Sequence, residues 1–198
     1  MDKGHTWGPV VPLREEPGWV VRTKPIVLRE GDFLIPAYDE REWKPAFFIS
    51  EDEGRPNRRP HVPCKAIQPA VVQLSDGSLL AYMRTKYSRI WEMRSLDQGR
   101  TWTGLRPTSL PNPNAAVELL RLRGGNLLLV FNDSDRERAP LVAVLSHDEG
   151  ATWPLRRVLE AGEGKFSYPA AIQAPDGVIH GTRMADQRGR LTQSFNGR

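Results

Sequence analysis

Lys24, Gln68, Asn114 and Tyr168 occupy one equivalent place in a repeating sequence, each just before or at the start of an apolar strand. Four polar side chains of different kinds, set in an otherwise uniform repeat, are expected to ring one central cavity as a site. The competing reading is that they merely begin strands and face water. Other candidate chemistry is weaker. His5, His61, His147 and His180 are scattered without metal-ligand spacing, so no metal site is expected. Cys64 is the single cysteine, which excludes an intrachain disulfide. Asp97 and Asp148 read as turn formers and not as a catalytic pair, and no cofactor is expected.

The elements that must position these residues follow from a turn motif. Ser95-Leu96-Asp97-Gln98-Gly99-Arg100-Thr101-Trp102 and Ser146-His147-Asp148-Glu149-Gly150-Ala151-Thr152-Trp153 both read S-x-D-x-G-x-T-W. A third copy, at 50–57, keeps Ser50, Asp52 and Gly54 but has Pro56-Asn57 in place of Thr-Trp, and a fourth, at 2–7, keeps Asp2, Gly4, Thr6 and Trp7. Asp and Ser side chains build a turn by bonding to nearby backbone, Gly supplies a positive φ, and Trp buries its ring against the sheet. Such a motif staples a hairpin and does not contact a ligand.

The motif glycines stand at 4, 54, 99 and 150. Their spacing of about 45 to 50 residues is the period of four-stranded propeller blades. A second repeat runs in register with the first. Apolar strands beginning at Lys24, Gln68, Asn114 and Tyr168 are followed by the turns Glu30-Gly31-Asp32, Asp76-Gly77, Gly124-Gly125 and Asp176-Gly177. In the first three copies a further strand follows, at Phe33-Leu34-Ile35, Leu79-Leu80-Ala81-Tyr82 and Leu127-Leu128-Leu129-Val130-Phe131. With 17 Gly, 17 Pro and no long segment of helical period, the chain reads as an all-β propeller.

The net charge is +4 and the arginines are spread along the chain, which reads as a solvated surface. No basic tract interleaved with aromatics points to nucleic acid. The polar segment Met1–Trp7 does not resemble a signal peptide, and no run of about 18 apolar residues is present. The chain is therefore expected to be cytoplasmic, with no membrane partner. The Asn132-Asp133-Ser134 sequon reads as accidental.

The S-x-D-x-G-x-T-W turns are the Asp-boxes, or BNR repeats. Together with Gln68-Pro69-Ala70-Val71-Val72-Gln73-Leu74-Ser75-Asp76-Gly77-Ser78-Leu79-Leu80 and Phe166-Ser167-Tyr168-Pro169 they resemble the sialidase (neuraminidase) superfamily over residues 1 to about 182. The resemblance implies a six-bladed β-propeller, of which about four blades are present: a partial propeller over 1–182 and an irregular tail over 183–198. It implies exo-sialidase-type hydrolysis of a terminal acidic sugar, and sialic acid or a related acidic glycan as partner. Open sheet edges then invite self-association.

By the same resemblance Arg84 and Arg138 match the second and third arginines that hold the sugar carboxylate, with Arg136 competing for the third place. Arginine suits the task because its planar fork binds a carboxylate bidentately and keeps its charge. Tyr168 matches the tyrosine nucleophile. Gln68 stands where a glutamate normally takes the tyrosine's proton, and an amide cannot act as a base. The first arginine has no match, Arg22 being a poor substitute, and the acid/base aspartate has none either. Activity is therefore not expected from this chain alone, and the alternative is a noncatalytic carbohydrate-binding or interaction propeller. Glu118 gives a weak case for a carboxylate, with solvent exposure as its plainer fate. Trp43 and Trp91 read as core packing or strand-edge cover, and would stack on a sugar only if they lay near the cavity rim.

Overall fold

The computed structural model describes residues 5–10, 17–50, 65–186 and 194–197, the last as backbone only. The Asp-boxes read at 2–7 and 50–57 lie largely outside the described residues, as do His61 and Cys64.

Four antiparallel sheets follow one another along the chain. The first holds β1 (Trp19–Val20), β2 (Ile26–Val27), β3 (Phe33–Asp39) and β4 (Lys44–Ile49). The second is the meander β5 (Ala66–Gln73), β6 (Leu79–Thr85), β7 (Arg89–Ser95) and β8 (Thr103–Pro111). The third is β9 (Glu118–Arg121), β10 (Leu127–Asn132), β11 (Leu141–Ser146) and β12 (Leu155–Glu160), and the fourth is β13 (Lys165–Gln173), β14 (Ile179–Asp186) and β15 (Ser194–Gly197). These are the blades of a propeller.

The repeat is visible in identical hydrogen bonds. In each blade the innermost strand turns at a glycine whose N–H donates three residues back: Gly31 to Leu28, Gly77 to Leu74, Gly125 to Leu122 and Gly177 to Ala174. All four glycines have φ between 88 and 98°, a region that costs other residues steric strain. The turn fixes the register of the innermost strand, and so the place at which its polar first residue emerges.

The core is divided into layers between successive blades. Leu34, Phe47 and Ile49 of the first blade pack on Val71, Leu79 and Met83 of the second. Val72, Leu80 and Tyr82 then pack on Leu119, Leu129 and Val142 of the third, and Leu128, Val130 and Leu141 on Phe166 and Ala171 of the fourth. Because a central blade is covered on both faces, β6 and β10 are buried at every position and read as apolar runs, Leu79–Met83 and Leu127–Phe131, that end in polar residues. In the fourth blade β14 alternates between exposed and buried residues. That alternation corrects the expected irregular tail: β14 runs on to Asp186 and pairs with β15. The strand is hard to read because one of its inward residues is Arg183, 5% exposed, ion-paired with Glu160 and set over the Phe166 ring.

The two complete Asp-boxes are built alike. Ser95 Oγ accepts the Gly99 N–H at 2.7 Å, and Asp97 accepts both the backbone N–H (2.7 Å) and the hydroxyl (2.6 Å) of Thr101. Ser146, Asp148, Gly150 and Thr152 repeat this set. Trp102 then stacks on Phe47 of the preceding blade at 3.9 Å, so the box fastens one blade to the next.

Hydrogen bonds from the Thr152 hydroxyl and N–H, and then from Ser146, hold the Asp148 carboxyl down to about 2. The unfolded chain therefore binds this proton more readily, and the bonds stabilise the fold above the ordinary carboxylate range. Urea unfolding of wild type and Asp148→Asn should differ steadily from pH 5 to 7. The difference should shrink as pH falls from about 4 towards 2, and a gap independent of pH would show that the carboxylate's charge is not what matters.

Candidate functional site

Three of the four equivalent polar residues are aimed by the same backbone device. Gln68, Asn114 and Tyr168 have φ of 56, 56 and 53°. In β5 the pairing passes from Ile67–Arg84 to Ala70–Tyr82, so Gln68 and Pro69 together face Met83 alone. In β13 it passes from Ser167–Met184 to Ala170–Thr182, with Tyr168 and Pro169 facing Arg183. These are β-bulges, which leave residues outside the ladder and re-aim their side chains. Proline suits the second bulge position because it has no N–H to leave unpaired. A left-handed non-glycine residue costs about 1–3 kcal/mol, a cost sustained only where the surroundings enforce it.

The side chains so placed form one network. Arg84 donates from Nε to Asn114 Oδ1 (2.9 Å) and from Nη1 to Gln68 Oε1 (3.2 Å). Gln68 Nε2 in turn donates to the Tyr38 hydroxyl at 3.3 Å. Arg138 donates from Nη1 to Ser167 Oγ and from Nη2 to the Asn114 carbonyl, both at 3.1 Å. Its guanidinium carbon lies 5.9 Å from the centre of the Tyr168 ring. Gln68, Arg84, Asn114, Arg138 and Tyr168, contributed by three blades, are thus brought together. Arg136 is not among them, since its side chain is 87% exposed and lies beside Asp135.

Lys24 departs from the group. It has no left-handed φ, and its ammonium reaches down the axis to Glu118 and, at 2.5 Å, to the Ala171 carbonyl. There it lines a cavity of about 290 Å³ together with Ile26, Val71 and Leu119. The innermost strand of the first blade is interrupted: β1 and β2 pair with the same strand, β3, and residues 21–25 leave the ladder between them. From that break Arg22 crosses to the opposite blades. It donates to the Val117 carbonyl (3.1 Å) and the Pro169 carbonyl (2.5 Å), stands 3.8 Å from Glu118, and lies 5.8 Å from the Tyr168 ring centre.

Two expectations change as a result. Glu118 does not face solvent: its side chain is 4% exposed and paired with Arg22 and Lys24. Arg22 comes from a blade later than the missing first arginine, yet it reaches the tyrosine. A carboxylate within an apolar run, Ala116-Val117-Glu118-Leu119, was the one sequence signal for this pair, because a buried charge needs a partner. Arg22 itself carried no signal, since its place depends on a strand break that no periodicity announces. Tyr38, which accepts from Gln68, was not singled out either; burial pushes its phenol up.

Among the described residues the region gathers four cations, Arg22, Lys24, Arg84 and Arg138, and one buried carboxylate, Glu118, paired with Arg22 and Lys24, while the exposed Glu40 acts on Tyr38 at the edge. Burial lowers the pKa of both Arg22 and Arg84, though guanidinium stays protonated. Cations in excess of their counter-charges, with Arg22 and Arg84 largely withdrawn from water, favour an incoming anion. Trp43 lies over this region, 5.7 Å from Arg84 and 4.2 Å from Lys86, a cation–π arrangement. Trp91 packs against Tyr87. Asn132 is buried and donates to the Phe166 carbonyl, so in the folded chain its sequon is closed to modification.

The BNR repeat-like domain family matches residues 1–180. The chain belongs to this family of sialidase-like proteins. The anhydrosialidase of Macrobdella decora is 22% identical over 173 residues, covering 75% of this chain and 22% of that protein. The intramolecular trans-sialidase of Ruminococcus gnavus, solved with oseltamivir carboxylate, superposes with a TM-score of 0.77 at 19% identity over 98% of this chain and 48% of the other. Trypanosoma rangeli sialidase superposes at 0.67, with 15% identity over 86% and 30% of the two chains. The BNR repeat-like chain spans less than half the length of each of these relatives. At such identities the superpositions establish the fold, the sialidase β-propeller.

Proposed function

We propose that this chain carries the carboxylate-binding part of a sialidase-type glycosidase site, and that its ligand is a terminal acidic sugar such as sialic acid. The observation that carries this reading is the convergence of Arg22 and Arg138 on the Tyr168 ring, with Arg84 joined to Arg138 through Asn114 and Glu118 as the one buried carboxylate among them. The guanidinium forks would grip the sugar carboxylate, and the phenol would face the anomeric carbon. A neutral phenol approaches an anionic sugar without the repulsion that a carboxylate nucleophile meets. That a sialidase of the same fold is solved with oseltamivir carboxylate is consistent with a carboxylate ligand.

A second reading rests on Gln68. Both ends of its amide are engaged, the nitrogen donating to Tyr38 and the oxygen accepting from Arg84, and an amide cannot accept a proton from Tyr168. The described site is thus better equipped to hold an acidic sugar than to cleave it, which favours a binding propeller. Hydrolysis of a fluorogenic sialoside and calorimetric binding of sialic acid, each with wild type and Tyr168→Phe, separate the readings. Turnover lost in the variant supports the glycosidase. Binding without turnover supports the binding propeller, and absence of both from the folded protein would overturn the acidic-sugar reading.

A further inference from the structure

A cavity of about 490 Å³ adjoins the tyrosine site on its third- and fourth-blade side, lined by Pro113, Arg136, Glu137, Arg138, Gly164 and Lys165. Its volume is within the range of small-ligand pockets. Three of the lining residues are cations and one is an acid. Arg138 forms the wall shared with the tyrosine site, because its guanidinium is anchored to Ser167 Oγ and to the Asn114 carbonyl.

The walls are built before any ligand arrives. The Phe166 N–H donates to the Arg138 carbonyl at 2.8 Å, which ties the loop after β10 to the start of β13. Within that loop the N–H groups of Arg136 and Glu137 both donate to Ser134 Oγ, at 3.2 and 3.0 Å. Asp133 N–H donates to the Pro140 carbonyl at 3.0 Å and closes the loop's base. The Arg136 side chain remains 87% exposed, with one ion pair among the described residues, 3.9 Å from Asp135, so it is largely available at the mouth.

We propose that this pocket is a second anion subsite, taking the acidic group of the next sugar along the same glycan whose terminal residue sits at Tyr168. The proposal rests on the acidic-sugar reading above and extends it to the ligand class: a glycan with two adjacent negative charges. The second charge has two chemical sources, the carboxylate of another acidic sugar or a sulfate ester on a neutral one. Arg136 and Lys165 at the mouth supply the attraction, and Glu137 opposes it.

The test compares three probes by calorimetry on the whole protein: 3′-sialyllactose, the same sugar sulfated on its galactose, and a 2,8-linked sialic acid dimer. One or both doubly charged probes should bind up to about tenfold more tightly than 3′-sialyllactose, the upper end of the scale expected of two exposed ion pairs. Which probe gains identifies the source of the charge. In Arg136→Ala/Lys165→Ala the gain should vanish while 3′-sialyllactose binds as before, and in Glu137→Gln the gain should grow. Equal affinity for all three probes, or a gain that survives the double substitution in a protein of unchanged thermal stability, overturns the subsite. Failure of 3′-sialyllactose itself to bind overturns the underlying reading instead.

Discussion

Arg84→Met is expected to weaken the binding of a sialic acid glycoside by about 100-fold. A guanidinium gripping a carboxylate makes charge-assisted hydrogen bonds worth about 1.5–3 kcal/mol each, and about 2.7 kcal/mol corresponds to 100-fold. The loss should be large because Arg84 is 7% exposed and prealigned by Asn114 and Gln68, so little rotamer freedom is spent on binding. Methionine keeps much of the side-chain volume, which confines the change to the charge and the fork. Arg84→Lys should recover little, because an ammonium cannot reproduce the two-point contact with Asn114 and Gln68. Calorimetry with the folded variant decides the matter, and an affinity within threefold of wild type would remove Arg84 from the ligand site.

The second large effect is on stability. Glu118→Ala should destabilise the protein by about 3 kcal/mol, the low end for breaking a buried pair by removing one partner. For a chain of this size that lowers Tm by roughly 6–12 °C. The low end applies because Lys24 is 37% exposed and can turn to water, whereas Arg22, at 13%, keeps only backbone acceptors. Replacing all three charges together, as Arg22→Met and Lys24→Met with Glu118→Leu, should return most of the lost stability, since hydrophobic residues of similar volume do as well as a buried ionic triad. A fall of less than about 1 kcal/mol for Glu118→Ala in urea unfolding would mean that the contact across the axis does not hold the blades.

Much of this molecule is legible without coordinates because its repeat is enforced locally. The Asp-box turns, the glycines of the innermost hairpins and the apolar strands between them each encode their own geometry through short-range hydrogen bonds and period-two burial. Blade order, register and the shared place of Gln68, Asn114 and Tyr168 follow from that repetition. So does the pairing of Arg84 and Arg138 with the tyrosine, once the resemblance to sialidases is taken into account. The extent of β14 was harder to read, because its inward residue Arg183 is polar and finds its partner, Glu160, in the preceding blade.

The sequence by itself determined the all-β repeat, the blade boundaries and the residue types at the axis, since these depend on neighbours within about fifty residues. Only the tertiary structure decided which charges meet there. Arg22 and Glu118 are 96 positions apart, on blades facing each other across the axis, and their pairing depends on a strand break between β1 and β2 that sends residues 21–25 inward. Contacts across the axis join elements that never pair within a sheet, so no period in the sequence records them. The same physics separates Lys24 from its three counterparts: without their left-handed backbone its long side chain follows the nearest buried carboxylate instead of the ring.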